Sequence, residues 1–190
     1  NENSNGIISR QIIGRVFSIL VFIYKFLSRY LNYKFNDKIV IKLLNIGCFL
    51  DNSNSCHLYA LQFTGSKELK YLKKSLKLDP TNNDHLHNIY NYYMSVNNKE
   101  NAIKYFNKIT DNDMKRFINI YFDLINYDIE KIKIYKNDYD TYKNPKNFEQ
   151  KKIKVYSYLI NGILFEKQSN ITEQKKYYDY FLNNLINLNN

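Results

Sequence analysis

The sequence has few of the residues on which many folds depend. Its 190 residues include five glycines, two prolines and no tryptophan. So few turn-forming residues argue against a β-sandwich or barrel, and against nucleotide-binding folds that need glycine-rich loops. The only cysteines, Cys48 and Cys56, are too few for a disulfide framework and lack Cys-x-x-Cys spacing. They favour a reducing, intracellular setting, with the cytoplasm as the simplest choice and an organelle or a membrane surface as alternatives.

Apolar and aromatic residues are abundant instead. Hydrophobic residues make up 44% of the chain, and 19 tyrosines and 12 phenylalanines dominate the aromatic content. Such a chain can bury a core, and an all-α fold is the class that its composition favours. The net charge is +10, but Lys, Asn, Ile, Tyr and Phe have A/T-rich codons. An A/T-rich genome therefore accounts for much of this charge, which we interpret as a solvated basic surface.

The N-terminal quarter is the most apolar part of the chain. Residues 1–6 are polar and predicted to be disordered, and residues 7–50 are predicted to form an apolar helix pair. The first helix, Ile7 to Asn32, is apolar on every side, so we expect neighbours or a partner to bury it. Its uncharged run is half the ~20 residues of a membrane span, which leaves contact with a membrane surface as an alternative. The contact residues proposed there are Val16, Leu20, Phe22, Ile23 and Leu27.

Beyond residue 50 the sequence repeats at fixed offsets. One constant interval, which we call the repeat interval, separates four pairs of positions: Tyr59 and Tyr93, Leu69 and Ile103, Leu72 and Phe106, Ser75 and Ile109. A second, longer constant interval separates Tyr90, Tyr93, Phe106 and Ile109 from Gly162, Phe165, Tyr178 and Phe181. It equals two repeat intervals plus a short insertion. Helix pairs that repeat along a chain are typical of a solenoid.

The period and the residue types resemble the tetratricopeptide repeat, whose period is about 34 residues. In the best segment the matching residues are Leu86, Ile89 and Tyr93 on a first helix and Ala102, Phe106 and Ile109 on a second. Tyr90 replaces the small residue that the family has beside Ile89. The preceding repeat carries a small residue at Cys56, a ring at Tyr59 and a helix-ending proline at Pro80. In this register, Tyr93 and Phe106 should be buried within one helix pair.

The resemblance implies an all-α, right-handed superhelix of antiparallel helix pairs. Repeats are expected at about 51–82, 83–112, 113–148 and 149–190, in one continuous solenoid. The second helix of the third repeat is predicted from the spacing of Ile132, Tyr135, Tyr139 and Tyr142. A generic helical bundle is the alternative, because amphipathic helices alone produce much of this pattern.

No constellation of residues points to catalysis, and no cofactor, metal or small-molecule substrate is expected. The chain lacks a Walker loop, a Gly-x-Ser-x-Gly elbow, a His-Glu-x-x-His motif and an EF-hand loop. His57, His85 and His87 are interpreted as capping or surface residues. Asp111 and Asp113 are interpreted as helix caps, and Asp138 and Asp140 as loop or helix-end residues.

The resemblance implies binding of a peptide or helix in a concave groove lined by first helices. The residues expected to project there are Asn88, Asn91, Tyr92, Lys115, Asn119 and Asp123. We therefore expect a non-catalytic scaffold or adaptor, a subunit of a larger complex with an unidentified protein partner. One alternative is an RNA-binding helical-repeat protein, because Tyr and Lys alternate near Tyr135–Lys143, although core packing explains those tyrosines better. The other is a membrane-associated adaptor held by the N-terminal apolar helix.

Overall fold

A computed structural model of the chain describes residues 37–188 and three isolated helical positions, Ile13, Val16 and Ile19. All regular secondary structure in this part of the chain is helical, which confirms the predicted all-α class. The predicted disordered start and, apart from those three positions, the predicted helix over residues 7–32 lie outside the described residues. The second predicted segment, Asp37 to Leu50, is observed as a helix over Asp37–Phe49.

The helices follow one another closely. They are α1 (Asp37–Phe49), α2 (Ser53–Ala60), α3 (Ser66–Leu78), α4 (Asn83–Ser95), α5 (Lys99–Phe106), α6 (Asn112–Ile125), α7 (Ile129–Ile132), α8 (Asp138–Thr141), α9 (Phe148–Lys167) and α10 (Ile171–Leu188). A 3₁₀ turn over Lys133–Tyr135 continues α7. α3 ends two residues before Pro80, which cannot continue a helix, as predicted.

Asparagine and aspartate side chains start most of these helices. Their side-chain oxygens accept hydrogen bonds from backbone N–H groups of the first turn, which have no partner within the helix. The capping residues are Asn52, Asn82, Asn98, Asp111, Asp128, Asn147 and Asn170. Asp111 is the cap that the sequence predicts, with Oδ1 2.9 Å from the N–H of Met114. The abundance of asparagine therefore supplies helix starts.

The chain divides into two compact units between Ile109 and Thr110. In unit 1, α1 packs on α2, α2 pairs with α3, α3 contacts α4, and α4 pairs with α5. Its fully buried residues include Leu44, Leu72 and Ile89. The sequence positions assigned to the repeat are largely inside: Cys56, Ser75, Leu86, Ala102 and Ile109 are all buried.

Three helix pairs contain an aromatic contact at the same position. In the first pair Tyr59 packs on Tyr71, with ring centroids 4.8 Å apart. In the second, one repeat interval later, Tyr93 stacks on Tyr105 at 5.6 Å. In the C-terminal pair, displaced from the second by the longer interval, Phe165 stacks on Tyr177 at 5.4 Å. The offsets in the sequence thus correspond to equivalent ring contacts within three helix pairs.

The predicted burial of Phe106 is wrong, whereas that of Tyr93 is confirmed. Tyr93 is 8% exposed, but Phe106 is only half-buried, and its ring lies against Tyr90 at 5.9 Å. The reason is size. One repeat interval earlier, the small Cys56 stands in the position of Tyr90 and leaves room for Leu72, the counterpart of Phe106, to be fully buried. The large Tyr90 ring instead fills the space that Phe106 would need.

Unit 2 has its own core, built by α6, α7 and α9. Ile120, Ile132, Ile153 and Ile160 are fully buried there, and Phe117 and Tyr135 pack with them. α10 packs along α9, yet none of its own residues is fully buried. α10 therefore covers one side of α9 without joining the fully buried core of unit 2.

The second helix predicted for the third repeat is broken. Instead of one helix carrying Ile132, Tyr135, Tyr139 and Tyr142, the chain forms α7, the 3₁₀ turn and α8. The buried residues of this stretch, Ile132, Tyr135 and Asp138, are three apart. The 3₁₀ turn covers only Lys133–Tyr135, and α8 begins anew at Asp138, so Asp138 reaches the core from a separate helical turn. The continuous right-handed superhelix stays a prediction.

Candidate functional site

A polar surface in unit 1 joins the first helices of two successive pairs. Asn88 on α4 places its Nδ2 2.6 Å from Nε2 of His57 on α2, and it also donates to the backbone oxygen of Asp84 at 2.9 Å. The His57 ring meets the His85 ring edge-on, with centroids 4.7 Å apart. We call His57, Asn88, Asn91 and Tyr92 the α2–α4 surface.

Burial favours the neutral form of two histidines in this region, His57 and His85. Burial, followed by the effect of His85, lowers the pKa of His57 to about 4, although Asp84 opposes the shift. Burial also lowers the pKa of His85, against the opposing effects of Asp79 and Asp84. A low-dielectric surrounding disfavours the charged imidazolium, and two such rings in contact disfavour it further. The α2–α4 surface therefore offers hydrogen bonds with little positive charge.

The interpretation of all three histidines as capping or surface residues is wrong for His85. Its ring is fully buried between α4 and the end of α3, although it occupies the first turn of a polar-looking helix. His57 is partly buried and His87 is partly exposed, with Nε2 3.2 Å from Nδ2 of Asn91. The sequence carried no signal for this burial, because it depends on where α3 ends relative to α4.

The groove residues predicted on α4 lie on one side of unit 1. Asn88 and Tyr92 are half-buried, whereas Asn91 is exposed. The Tyr92 ring contacts the ring of Tyr93 edge-on at 5.6 Å, so the core fixes its position. Amide side chains and a ring whose positions are already fixed can bind a peptide with little further loss of side-chain entropy.

Three of the predicted groove residues lie on α6 in unit 2. Asn119 is exposed and Lys115 is partly exposed on α6. Asp123 is 9% exposed and points inward, where its Oδ2 accepts a hydrogen bond of 3.0 Å from the hydroxyl of Tyr135. Its expected projection into a groove is therefore corrected, since it belongs to the core of unit 2.

A buried polar network surrounds Asp123. Arg116 forms two hydrogen bonds with Asp138, at 2.8 and 2.6 Å, and its guanidinium lies over the ring of Tyr135. Burial, with the hydrogen bond to Asp123, raises the pKa of Tyr135 to about 12. Each polar group has a partner, which is the condition for burying it at tolerable cost. Asp138 stands at the start of α8, as the helix-end interpretation predicts, but it is also a buried ion-pair residue, which the sequence did not predict.

Asp113 is also fixed by hydrogen bonds from neighbouring side chains. Its carboxylate accepts hydrogen bonds from Tyr142, Asn147 and Gln150, at 3.1, 3.3 and 2.9 Å. Burial acts to raise the pKa of Asp113, but these three hydrogen bonds outweigh it and lower the pKa. An ionised, triply hydrogen-bonded carboxylate ties the start of α6 to the start of α9 and suits no acid–base role.

The tyrosines that alternate with lysines in unit 2 are packed. Tyr135 is buried, Tyr142 packs against the core, and Tyr139 contacts the rings of Tyr158 and Tyr177. This confirms the interpretation of their spacing as core packing. On α3, in unit 1, Lys67, Lys70, Lys73 and Lys77 are exposed and form no ion pair within the described residues.

The structure pairs the two cysteines, which the sequence did not predict. Cys48 in the last turn of α1 and Cys56 on α2 form a disulfide, and both are buried. The break between the helices brings them together, with Cα atoms 4.4 Å apart. The expectation of a reducing compartment rested on cysteines without a pairing pattern, and this disulfide removes its basis.

Of the predicted hydrophobic contact residues, the structure describes one. Val16 is helical and 47% exposed, whereas Leu20, Phe22, Ile23 and Leu27 lie outside the described residues. Among the residues that are described, no helix is long and apolar enough to cross a membrane. Within the same part of the chain, no group of three or more histidine, cysteine, aspartate or glutamate side chains is arranged to hold a metal ion.

Comparison with known proteins adds no family. The sequence matches no protein-family model and no curated protein. The chain is thus defined by its own architecture: helix pairs that repeat an aromatic contact, with an amide-rich surface between the first helices of two pairs.

Proposed function

We propose that this protein is a non-catalytic scaffold that binds a peptide or helix of a protein partner, as a subunit of a larger complex. The proposed architecture is a right-handed superhelix of degenerate tetratricopeptide-like repeats. The observation that carries the proposal is the contact between His57 and Asn88, because it joins α2 and α4 into one surface. Neighbouring first helices in contact give a surface longer than either helix alone.

The chemistry of this surface favours a peptide as ligand. Asn88 and Asn91 carry amides, which both donate and accept hydrogen bonds and so match the backbone of an extended peptide. Tyr92 offers a half-buried ring whose position is fixed by Tyr93. Aromatic side chains of this kind provide apolar contact area at low entropic cost.

The low charge of the α2–α4 surface distinguishes peptide binding from RNA binding. With the pKa of His57 lowered to about 4, this side chain is neutral near pH 7. Peptide binding here would rest on hydrogen bonds and ring contacts, so its affinity should depend weakly on salt. RNA binding would instead release counterions and weaken steeply as salt increases.

The test begins with the full chain recovered from its native cells without detergent. Its native mass and co-purifying proteins are measured, and the interaction is then mapped to a partner segment. Asn88→Ala and Asn91→Ala should each weaken binding of that segment several-fold, in keeping with about 1 kcal/mol per lost hydrogen bond. Asn107→Ala is the matched control, because Asn107 is an exposed amide at the end of α5 and is not a residue of the α2–α4 surface.

Two results would refute the proposal. One is a chain that recovers no stoichiometric partner. The other is a partner whose affinity is unchanged by the two α4 substitutions yet lowered by the Asn107 control.

RNA binding is the second candidate, and exposed lysines on α3 favour it. Lys67, Lys70, Lys73 and Lys77 are spaced along one helix with no acidic partner in the described residues. A fall of tenfold or more in RNA affinity between low and physiological salt, lost when Lys70 and Lys77 are changed to Gln, would favour this candidate over the peptide scaffold.

Membrane association is the third candidate. Ile13, Val16 and Ile19 are helical and exposed, and they are spaced three residues apart. If this segment holds the protein on membranes, the full chain should sediment with vesicles, and Val16→Asp should release it.

A further inference from the structure

We infer that this chain matures in an oxidising compartment and is N-glycosylated on Asn170. The site is the turn between α9 and α10, where Asn170, Ile171 and Thr172 form an Asn-x-Thr acceptor sequence. In a chain rich in asparagine such a triplet has little weight by itself. Two observations on the structure supply the argument.

The first observation is the accessibility of the acceptor. Asn170 and Thr172 are both exposed, and Ile171 between them is 75% exposed. The acceptor follows Ser169, whose positive φ of 56° lies just beyond the end of α9. A bulky, hydrated glycan attached there would meet solvent and not the core of unit 2.

The second observation is the compartment that the disulfide requires. Disulfides persist in oxidising compartments, the same compartments in which asparagine-linked glycans are added. Cys48 and Cys56 are paired and fully buried, in a core that excludes water from them. Oxidation of the two thiols by exchange with a donor protein disulfide produces the Cys48–Cys56 bond and two thiols on the donor.

Glycosylation is compatible with the structural role of Asn170. Its Oδ1 accepts a hydrogen bond of 3.2 Å from the N–H of Glu173 and so caps α10. The glycan is attached through Nδ2, which leaves Oδ1 in place as the acceptor. The helix cap and the modification can therefore exist together on one side chain.

The reaction uses a sugar carried on a lipid diphosphate as donor. Nδ2 of Asn170 attacks C1 of that sugar and forms the C1–N bond. The C1–O bond to the diphosphate breaks, and the lipid diphosphate leaves with the electron pair. Nδ2 loses one proton in the same exchange, so the side chain remains an uncharged amide.

The test uses the full chain made in its native cells. Peptide mass spectrometry after enzymatic glycan release should show aspartate at position 170, because release converts the linked asparagine. Gel mobility should increase for Thr172→Ala, which destroys the acceptor sequence and keeps the Asn170 cap. Thr172→Ser should migrate like the wild-type chain, because serine preserves the acceptor.

The disulfide is tested in the same material. Thiols are blocked with an alkylating reagent in denaturant before any reduction, and Cys48 and Cys56 should remain unalkylated. Alkylated cysteines, or an Asn170 peptide that carries no glycan while all three proteins migrate alike, would overturn the inference. Neither result depends on the peptide-binding proposal, so the two can fail separately.

Discussion

Gly162 is expected to be a site where adding one methyl group has opposite effects in two backgrounds. It lies within α9, and α10 passes so close that a Cβ at this position would overlap the ring of Tyr178. In an ordinary helix interior, Gly→Ala stabilises by about 1 kcal/mol because it lowers the entropy of the unfolded chain. Here the methyl group must displace a ring whose hydroxyl donates to Glu166 at 2.8 Å.

The net effect follows from these two magnitudes. Forcing an extra methyl group into a packed contact costs about 1–3 kcal/mol. Set against the helical gain, Gly162→Ala should lower the free energy of unfolding by roughly 0–2 kcal/mol. In a Tyr178→Ala background the overlap disappears, so the same substitution should raise the free energy of unfolding by about 1 kcal/mol.

The assay is a double-mutant cycle measured by urea unfolding and far-UV circular dichroism. The coupling energy between positions 162 and 178 should be about 1–3 kcal/mol. Tyr178→Phe is the matched control, because it keeps the ring and removes only the hydroxyl. In that background Gly162→Ala should remain unfavourable.

Two outcomes would refute the reasoning. Stabilisation by Gly162→Ala in the wild-type chain would mean that the ring moves aside freely. Additivity within about 0.5 kcal/mol would mean that the two positions do not share a contact.

Three further predictions concern the buried polar and sulfur groups. Because the pKa of His57 is about 4 in the folded state and 6.5 in the unfolded chain, stability should be fully present above pH 6.5 and fall by up to about 3 kcal/mol towards pH 4. His57→Gln should reduce that pH dependence of unfolding and leave the part that the lowered pKa of His85 contributes, and an unchanged slope would contradict the assignment. Asp138→Asn should cost about 2–3 kcal/mol in urea unfolding, because it leaves Arg116 without its ionic partner; Glu130→Gln, at an exposed pair, is the control and should be nearly neutral. Reduction of the Cys48–Cys56 disulfide, which closes a short loop, should cost about 2–3 kcal/mol, whereas equal stability with and without reductant would show that the bond is not formed in solution.

Local pattern predicted much of the helical structure. The segment from Asp37 to Leu50 was recognised by its apolar periodicity, and the observed helix differs by one residue at its end. Asp111 was recognised as a cap from its place before a periodic segment. Such features depend on residues within one or two turns of each other, so the sequence alone contains the necessary information.

Burial of polar groups was not predictable in the same way. The resemblance places Asp123 in a concave groove, yet its hydrogen-bond partner, Tyr135, comes from the next helical segment. His57 and Asn88 are 31 residues apart, and Arg116 and Asp138 are 22 apart. A polar side chain at a helical position is compatible with either face until a partner is known, and periodicity does not name the partner.

The broken helix has the same origin. The tyrosines from Tyr135 to Tyr142 fit an α-helical spacing, but Asp138 among them is drawn inward by Arg116. Ile132, Tyr135 and Asp138 are all buried, and the chain forms α7, a 3₁₀ turn and α8 here in place of one helix. The buried ion pair between Asp138 and Arg116 therefore lies at the start of α8, at the point where the predicted single helix is interrupted.

By itself, the sequence determined that the described chain is helical, that Asp111 caps a helix, and that residues of similar type recur at constant intervals along the chain. The tertiary structure decided which rings meet across each pair, that Tyr90 keeps Phe106 from the core, that Cys48 joins Cys56, and that His57 joins Asn88. The physical reason is the separation along the chain over which each kind of interaction acts. Helix formation and capping depend on neighbours within a few residues, whereas packing depends on the volume and hydrogen-bonding groups that other helices bring to the same place.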